Sequence, residues 1–185
     1  MSTASNAAED GPPRGALIAA VVVAVAAVIG VLVAAALAQR PSALQPVPLV
    51  TIPAPAAAGE ACSALLNQLP DRLDDYARAP LADPAPAGAA AWQRPDGSGS
   101  ADAVILRCGI DRPLEFVVGA PIQQVDDVAW FRIADTGRTT WVAVDRPVFV
   151  ALTLPDGSGP TPIQLVSTAV AKAMAVAPIE PGPLP

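Results

Sequence analysis

Polar side chains are missing from one long stretch near the start of the chain. From Ala16 to Ala38 the sequence runs for 23 residues without a charge or a strongly polar group. At 1.5 Å per residue such a helix is about 34 Å long, enough to cross a hydrocarbon core of roughly 30 Å with some tilt. A helix satisfies its own backbone groups, which lipid cannot. The pattern therefore predicts a transmembrane helix over 16–38, bracketed by Arg14 and Arg40, with residues 1–15 as a short cytoplasmic start. Ala36-Leu37-Ala38 would also suit cleavage of a secretory leader. The apolar run is much longer than the roughly 7–15 residues of a leader core, which favours an uncleaved signal anchor.

Beyond Arg40 the pattern changes twice. Residues 39–59 hold five prolines after Arg40 and no other charge, which reads as an extended, polyproline-like spacer. Then Cys62, Leu65, Leu66, Leu69, Leu73 and Tyr76 recur at helical spacing. Pro70 falls inside this stripe, so the helix either kinks there or gives way to a second one begun by Asp71, Asp74 and Asp75. Residues 80–102 read as a loop, with Trp92 plugging the edge of the core.

Alternation of period two dominates the next stretch. Ala103–Arg107, Leu114–Val118, Val128–Ala134, Thr139–Asp145 and Val148–Leu154 read as strands. In the third, Phe131 and Ile133 share one side, with Trp130 and Arg132 on the other. Asp135-Thr136-Gly137-Arg138 is a turn. A final helix starts near Thr161 and Pro162, with Ile163, Val166, Ala169, Val170, Ala173 and Met174 as its apolar stripe. The order predicts an α+β domain over 60–177: about five antiparallel strands, with an N-terminal and a C-terminal helix on one face. The proline-rich ending, 178–185, reads as disordered.

Charge narrows the partners. Nine basic and fifteen acidic residues follow Arg40, which accounts for the whole net charge of −6. An acidic domain does not suit nucleic acid, whose phosphates need a basic face. The absence of His removes imidazole metal sites and His-dependent triads. The ten-to-one excess of Arg over Lys and the alanine content are what a GC-rich genome tends to produce, and carry little chemistry. Orientation by basic residues is nearly a tie. The two cysteines, Cys62 and Cys108, decide it: an even pair in an exported domain reads as one disulfide, stapling the first helix to a strand end.

No catalytic, cofactor-binding or metal-ligating set emerges from the remaining residues. Asp96 to Asp102 places oxygens at alternate positions like a calcium loop, but Arg107 stands where a bidentate Glu is required. Asp156-Gly157-Ser158-Gly159 is good turn chemistry. Asp126-Asp127 suits a solvated turn better than an acid–base pair. Arg107 suits an ion pair with an aspartate of the first helix, and could otherwise take an anion with its forked donors. Trp130 and Trp141, on neighbouring strands, are either core or an exposed aromatic patch for a partner. Trp130, Trp141 and Arg107 are thus the candidate partner contacts.

Several runs together resemble a known family. These are Cys62 with Leu65 and Leu69-Pro70, Ala90-Ala91-Trp92, Val104-Ile105-Leu106-Arg107-Cys108-Gly109, Val128-Ala129-Trp130-Phe131, Trp141 with Arg146, and Leu165-Val166-Ser167. They are similar to the actinobacterial domain-of-unknown-function 3515 family, across residues 60–176 and in the plan of one N-terminal membrane helix. In that family Ala-Ala-Trp is usually followed by Gly and a short Pro-containing link; here Gln93-Arg94 and a longer Gly/Ser stretch stand instead. The resemblance implies an actinobacterial envelope protein and brings no activity with it.

The expectation is therefore a single-pass membrane protein whose C-terminal domain lies outside the cytoplasm. Its expected work is non-enzymatic binding of an envelope protein or cell-wall partner. The alternatives are an envelope hydrolase using Asp126, Asp127 or Asp145, and a sensor with an apolar cavity for a small ligand.

Overall fold

A computed structural model describes residues 14–38, 44–95 and 102–184. The chain divides into two units, residues 1–41 and 42–185. The first contains helix α1 (Arg14–Ala38). Within it Leu17–Ala35 is long and apolar enough to cross a membrane, and none of that stretch is buried. Its length and composition suit a membrane anchor or a signal sequence. Arg40 and most of the expected cytoplasmic segment lie outside the described residues.

The second unit is built on one antiparallel sheet of eight strands, not about five, in the order β1-β2-β3-β4-β8-β7-β6-β5. The strands are β1 (Arg72–Leu73), β2 (Tyr76–Ala79), β3 (Ala89–Gln93), β4 (Val104–Ile110), β5 (Ile122–Val125), β6 (Val128–Asp135), β7 (Arg138–Ala143) and β8 (Phe149–Pro155). Helices α2 (Glu60–Gln68) and α3 (Thr161–Ala173) lie on one face. They bury Leu65, Val166 and Val170 against Leu106, Trp130 and Leu152 of the sheet, as the alternation predicts.

Three of the extra strands come from residues expected to be helix or loop. Pro70 is the cause of the first departure. The residue before a proline is pushed out of the α region, and Leu69 adopts φ −66°, ψ 134°, which ends α2 at Gln68. Asp74, at φ 59°, then turns β1 into β2, so the aspartates serve a hairpin rather than a second helix. Leu73 and Tyr76 still face the core, because a tight hairpin returns both to one side. β3 carries Trp92, which is 0% exposed and lies in the core rather than at its edge. Its indole N–H donates to the Pro70 carbonyl at 2.9 Å. The stretch 114–118 is not a strand: Phe116 N–H bonds the Pro113 carbonyl in a turn, and Leu114 stands 92% exposed.

The other face of the sheet is covered by extended chain. Residues 44–57, expected to be free spacer, are a strap across β2, β3 and β4. Val47 is buried beside Ala79, Ala91 and Ala103. Its N–H bonds the Pro80 carbonyl at 2.9 Å, and its carbonyl takes the Ala82 N–H at 2.9 Å. The strap crosses the sheet where Gly109 offers no side chain: a Cβ there would lie 2.4 Å from the backbone of Ala56 and Ala57. Further along, Phe116 packs on Phe131 with ring centroids 5.2 Å apart. The proline-rich ending is pinned over it rather than free. Gly182 N–H donates to the Phe116 carbonyl at 2.8 Å, and Val118 N–H to the Gly182 carbonyl at 3.0 Å. Proline-rich chain can do this because a strap needs few backbone donors and keeps little entropy to lose.

Candidate functional site

The helices do not cover the whole of their face. α3 begins at Thr161, preceded by Pro160, and no side chain caps it, so Thr161 opens the helix instead of capping it. Beyond this end the sheet face carries Gln123 of β5, Arg132 of β6, Thr139 and Trp141 of β7 and Leu154 of β8. The register places all five on the side that holds Trp130 and Leu152. All five floor a cleft of about 330 Å³, and Trp141 and Leu154, with Gly159, also line a second of about 400 Å³. The first is walled by the loop 155–159, the second by Asp126 of the β5–β6 turn and by Ile163 and Gln164 of α3.

Trp141 is the centre of this groove. It is half-buried and its inner part packs against the main core. Arg132, directly opposite on β6, holds its guanidinium 5.9 Å from the indole centroid. A cation at that distance from an aromatic face is attracted by the ring's quadrupole. The loop wall is tied down. Gly157 and Gly159 take φ of +78° and +70°, conformations that glycine adopts at no steric cost. The buried Ser158 hydroxyl donates to the Pro155 carbonyl, and the Tyr76 hydroxyl lies 3.2 Å from it. The floor therefore offers one aromatic plate, one exposed cation, an amide and a hydroxyl, with Asp126 and Asp156 at the rims.

Of the candidate partner contacts, only Trp141 lines this groove. Trp130 is 0% exposed, and its indole N–H donates to the Ser167 hydroxyl of α3 at 3.0 Å. It is core and cannot meet a partner. Trp130 lies opposite Ala143 while Trp141 lies opposite Arg132, so the two indoles are not a directly opposed pair. Arg107 points to the strap face, where Nη2 donates to the Val50 carbonyl at 3.0 Å. The expected ion pair with a helix aspartate is replaced by this hydrogen bond. Burial lowers the Arg107 pKa; it lowers that of Arg78 too, against the opposing pull of Asp71.

Cys62 on α2 and Cys108 on β4 come to disulfide distance, S–S 2.00 Å and Cα–Cα 5.6 Å, and staple helix to sheet. The aspartates named for hydrolysis are engaged separately. Asp145 pairs with Arg146 at 2.9 Å, the one ion pair among the described residues, and both side chains are buried. Arg146 also donates to the Asp127 carbonyl, which fixes the β5–β6 turn. Asp126 sits in that turn at φ 50° and alone of the three borders the groove. No three Cys, Asp or Glu among the described residues converge as metal ligands would. The stretch that imitates a calcium loop falls outside the described residues except for Asp102.

Residues 21–179 match the family described as protein of unknown function, DUF3515. The chain belongs to this family. The DUF3515 match takes in the apolar helix from Val21 as well as the sheet domain. No curated protein and no solved structure matches the chain. The runs that carry the family resemblance are largely fasteners of the fold. Cys62 meets Cys108, Trp130 bonds Ser167, Arg146 holds Asp145, and Trp92 bonds Pro70. Arg132, Gln123 and Thr139 were not singled out as site residues in the sequence. The alternation did place Arg132 on the face of Trp130, and 156–159 was legible as a glycine turn. Nothing local announced that these would meet around Trp141.

Proposed function

We propose that this chain is a single-pass membrane protein whose domain stands outside the cytoplasm and works as a binding module of the cell envelope. The groove around Trp141 is its contact site. The observation that carries this is the placement of a part-exposed indole, a guanidinium beside it with no ion pair among the described residues, and polar side chains on bare sheet at the end of α3. Isolated surface aromatics are ordinary, but an aromatic and an arginine set together in a concavity are the residue types that dominate recognition energy. Two further features support the compartment. α1 is apolar on every side, and a cysteine pair at disulfide distance suits an oxidising environment. The family resemblance suggests an actinobacterial envelope.

The test uses the full-length protein in detergent and isolated envelopes from the source cells. Wild type should sediment with the envelopes. Trp141→Ala and Arg132→Ala should remain in the supernatant, while Leu114→Ala, on an exposed turn of the opposite face, should behave as wild type. Equal sedimentation of all four proteins would contradict the assignment. A small-ligand sensor is the second reading, and one observation favours it: the second cleft, about 400 Å³ and lined in large part by Val125, Trp141, Leu154, Pro160 and Ile163, exceeds the roughly 300 Å³ lower bound of ligand pockets. A saturable rise in melting temperature with a cell extract freed of macromolecules would select it.

A further inference from the structure

Resting on the binding-module reading, we infer that the groove takes a neutral oligosaccharide, with one sugar ring stacked on Trp141. A sugar ring has a flat face of C–H groups and a rim of hydroxyls. It therefore asks for an apolar plate surrounded by groups that both donate and accept hydrogen bonds. Trp141 is such a plate, held by its packing against the core. Around it stand the Arg132 guanidinium and Gln123 amide as donors, the Asp156 carboxylate as acceptor and the Thr139 hydroxyl as either.

Charge selects a neutral ligand. An anionic chain would meet Asp126 and Asp156 at the two rims, and a cationic one would meet Arg132 at the centre. Shape suits an oligomer. The two clefts border the same residues, Trp141, Leu154 and Gly159, so a ring stacked on Trp141 has a concavity next to it on each side. Pre-organisation helps: the loop wall is fixed by Ser158, and Gln124 Nε2 donates to the Asp126 carbonyl at 2.9 Å across the turn at the other rim. An extended peptide has a different place to go. β5 is the last strand of the sheet, and a peptide adding to its outer edge would use backbone groups and not Trp141.

The wild-type protein reports on its own groove, because Trp92 and Trp130 are both 0% exposed and only Trp141 is open to a ligand. Full-length protein is titrated with chitohexaose, cellohexaose and maltohexaose while tryptophan fluorescence is followed. At least one should shift the emission to the blue and saturate. Calorimetry should then show Trp141→Ala weakening binding by about tenfold or more, the factor set by losing roughly 1.4 kcal/mol. Arg132→Ala and Gln123→Ala change exposed side chains, keep the fold and should each weaken it by a smaller factor. Three saccharides without a spectral change would overturn the ligand class. If envelope sedimentation still depended on Trp141, the binding module would stand with a different ligand. If it did not, both would fall. Saccharide binding unaffected by Trp141→Ala and Arg132→Ala would also overturn the inference.

Discussion

Replacing Gly109 with Ala tests whether the strap belongs to the fold. Gly109 sits at φ +79°, a left-handed conformation that costs an L-residue about 1–2 kcal/mol. Gly137 provides the control, because it has nearly the same φ, +75°, and nothing within 4 Å of an added Cβ. At Gly109 that Cβ would also lie 2.4 Å from the Ala56 carbonyl carbon and the Ala57 nitrogen. Backbone cannot rotate aside, so the strap must lift. Lifting it breaks the bond from Ala56 N–H to the Gly109 carbonyl at 3.2 Å and loosens the one from Arg107 to Val50. It also exposes part of the strap's apolar surface, of which Val47 is the most deeply buried member. Burying one valine contributes about 1.5–3 kcal/mol and each hydrogen bond about 1. Gly109→Ala should then cost about 3–6 kcal/mol, and Gly137→Ala about 1–2. At roughly 2–4 °C per kcal/mol for a domain of this size, the first should melt at least 6 °C lower. Thermal unfolding of the full-length proteins followed by circular dichroism reads the difference. Limited proteolysis should open a new cleavage site within residues 44–57 in Gly109→Ala alone. Equal melting temperatures, with no new cleavage, would show that 44–57 is a spacer after all.

Other consequences are as specific. Serine at Cys62 or Cys108 should cost about 4 kcal/mol, since the crosslink closes a separation of 46 residues; a melt unchanged by reductant would refute the staple. Ser167→Ala strands the buried Trp130 indole N–H and should cost about 1–3 kcal/mol by chemical denaturation, whereas an unchanged midpoint would mean that this bond is worth nothing. Asp145→Ala leaves Arg146 buried without its counter-ion. It should cost about 3–5 kcal/mol, more than Asp126→Ala at the exposed turn; equal effects would place the pair at the surface.

The sequence was most readable where one force acted alone. The apolar run at 16–38, the helix stripe of α3, the hairpin at Thr136-Gly137 and the strands β4, β6, β7 and β8 needed only periodicity or turn chemistry. It misled where two signals competed. Leu73 and Tyr76 keep helical spacing from Leu69, yet Pro70 ends the helix at Gln68 and the positive φ of Asp74 makes the next residues a hairpin whose inward pair shares that spacing by coincidence. β3 is alanine-rich and flanked by glycine and proline, so composition hid a strand paired on both sides. The strap and the ending were hidden for the opposite reason. Proline-rich chain resembles free linker unless the sheet it covers is known. The groove was half legible: Trp141 stood out by type, while its surroundings depend on the β5–β8 register and on where α3 stops.

The location of the domain is tested most directly with a single introduced thiol. The described residues contain no free cysteine, so Leu114→Cys, at a position 92% exposed, supplies the one reactive group. A membrane-impermeant maleimide should label this variant in intact cells as fully as in lysed ones. Labelling only after lysis would place the groove on the cytoplasmic side and remove the envelope from the account.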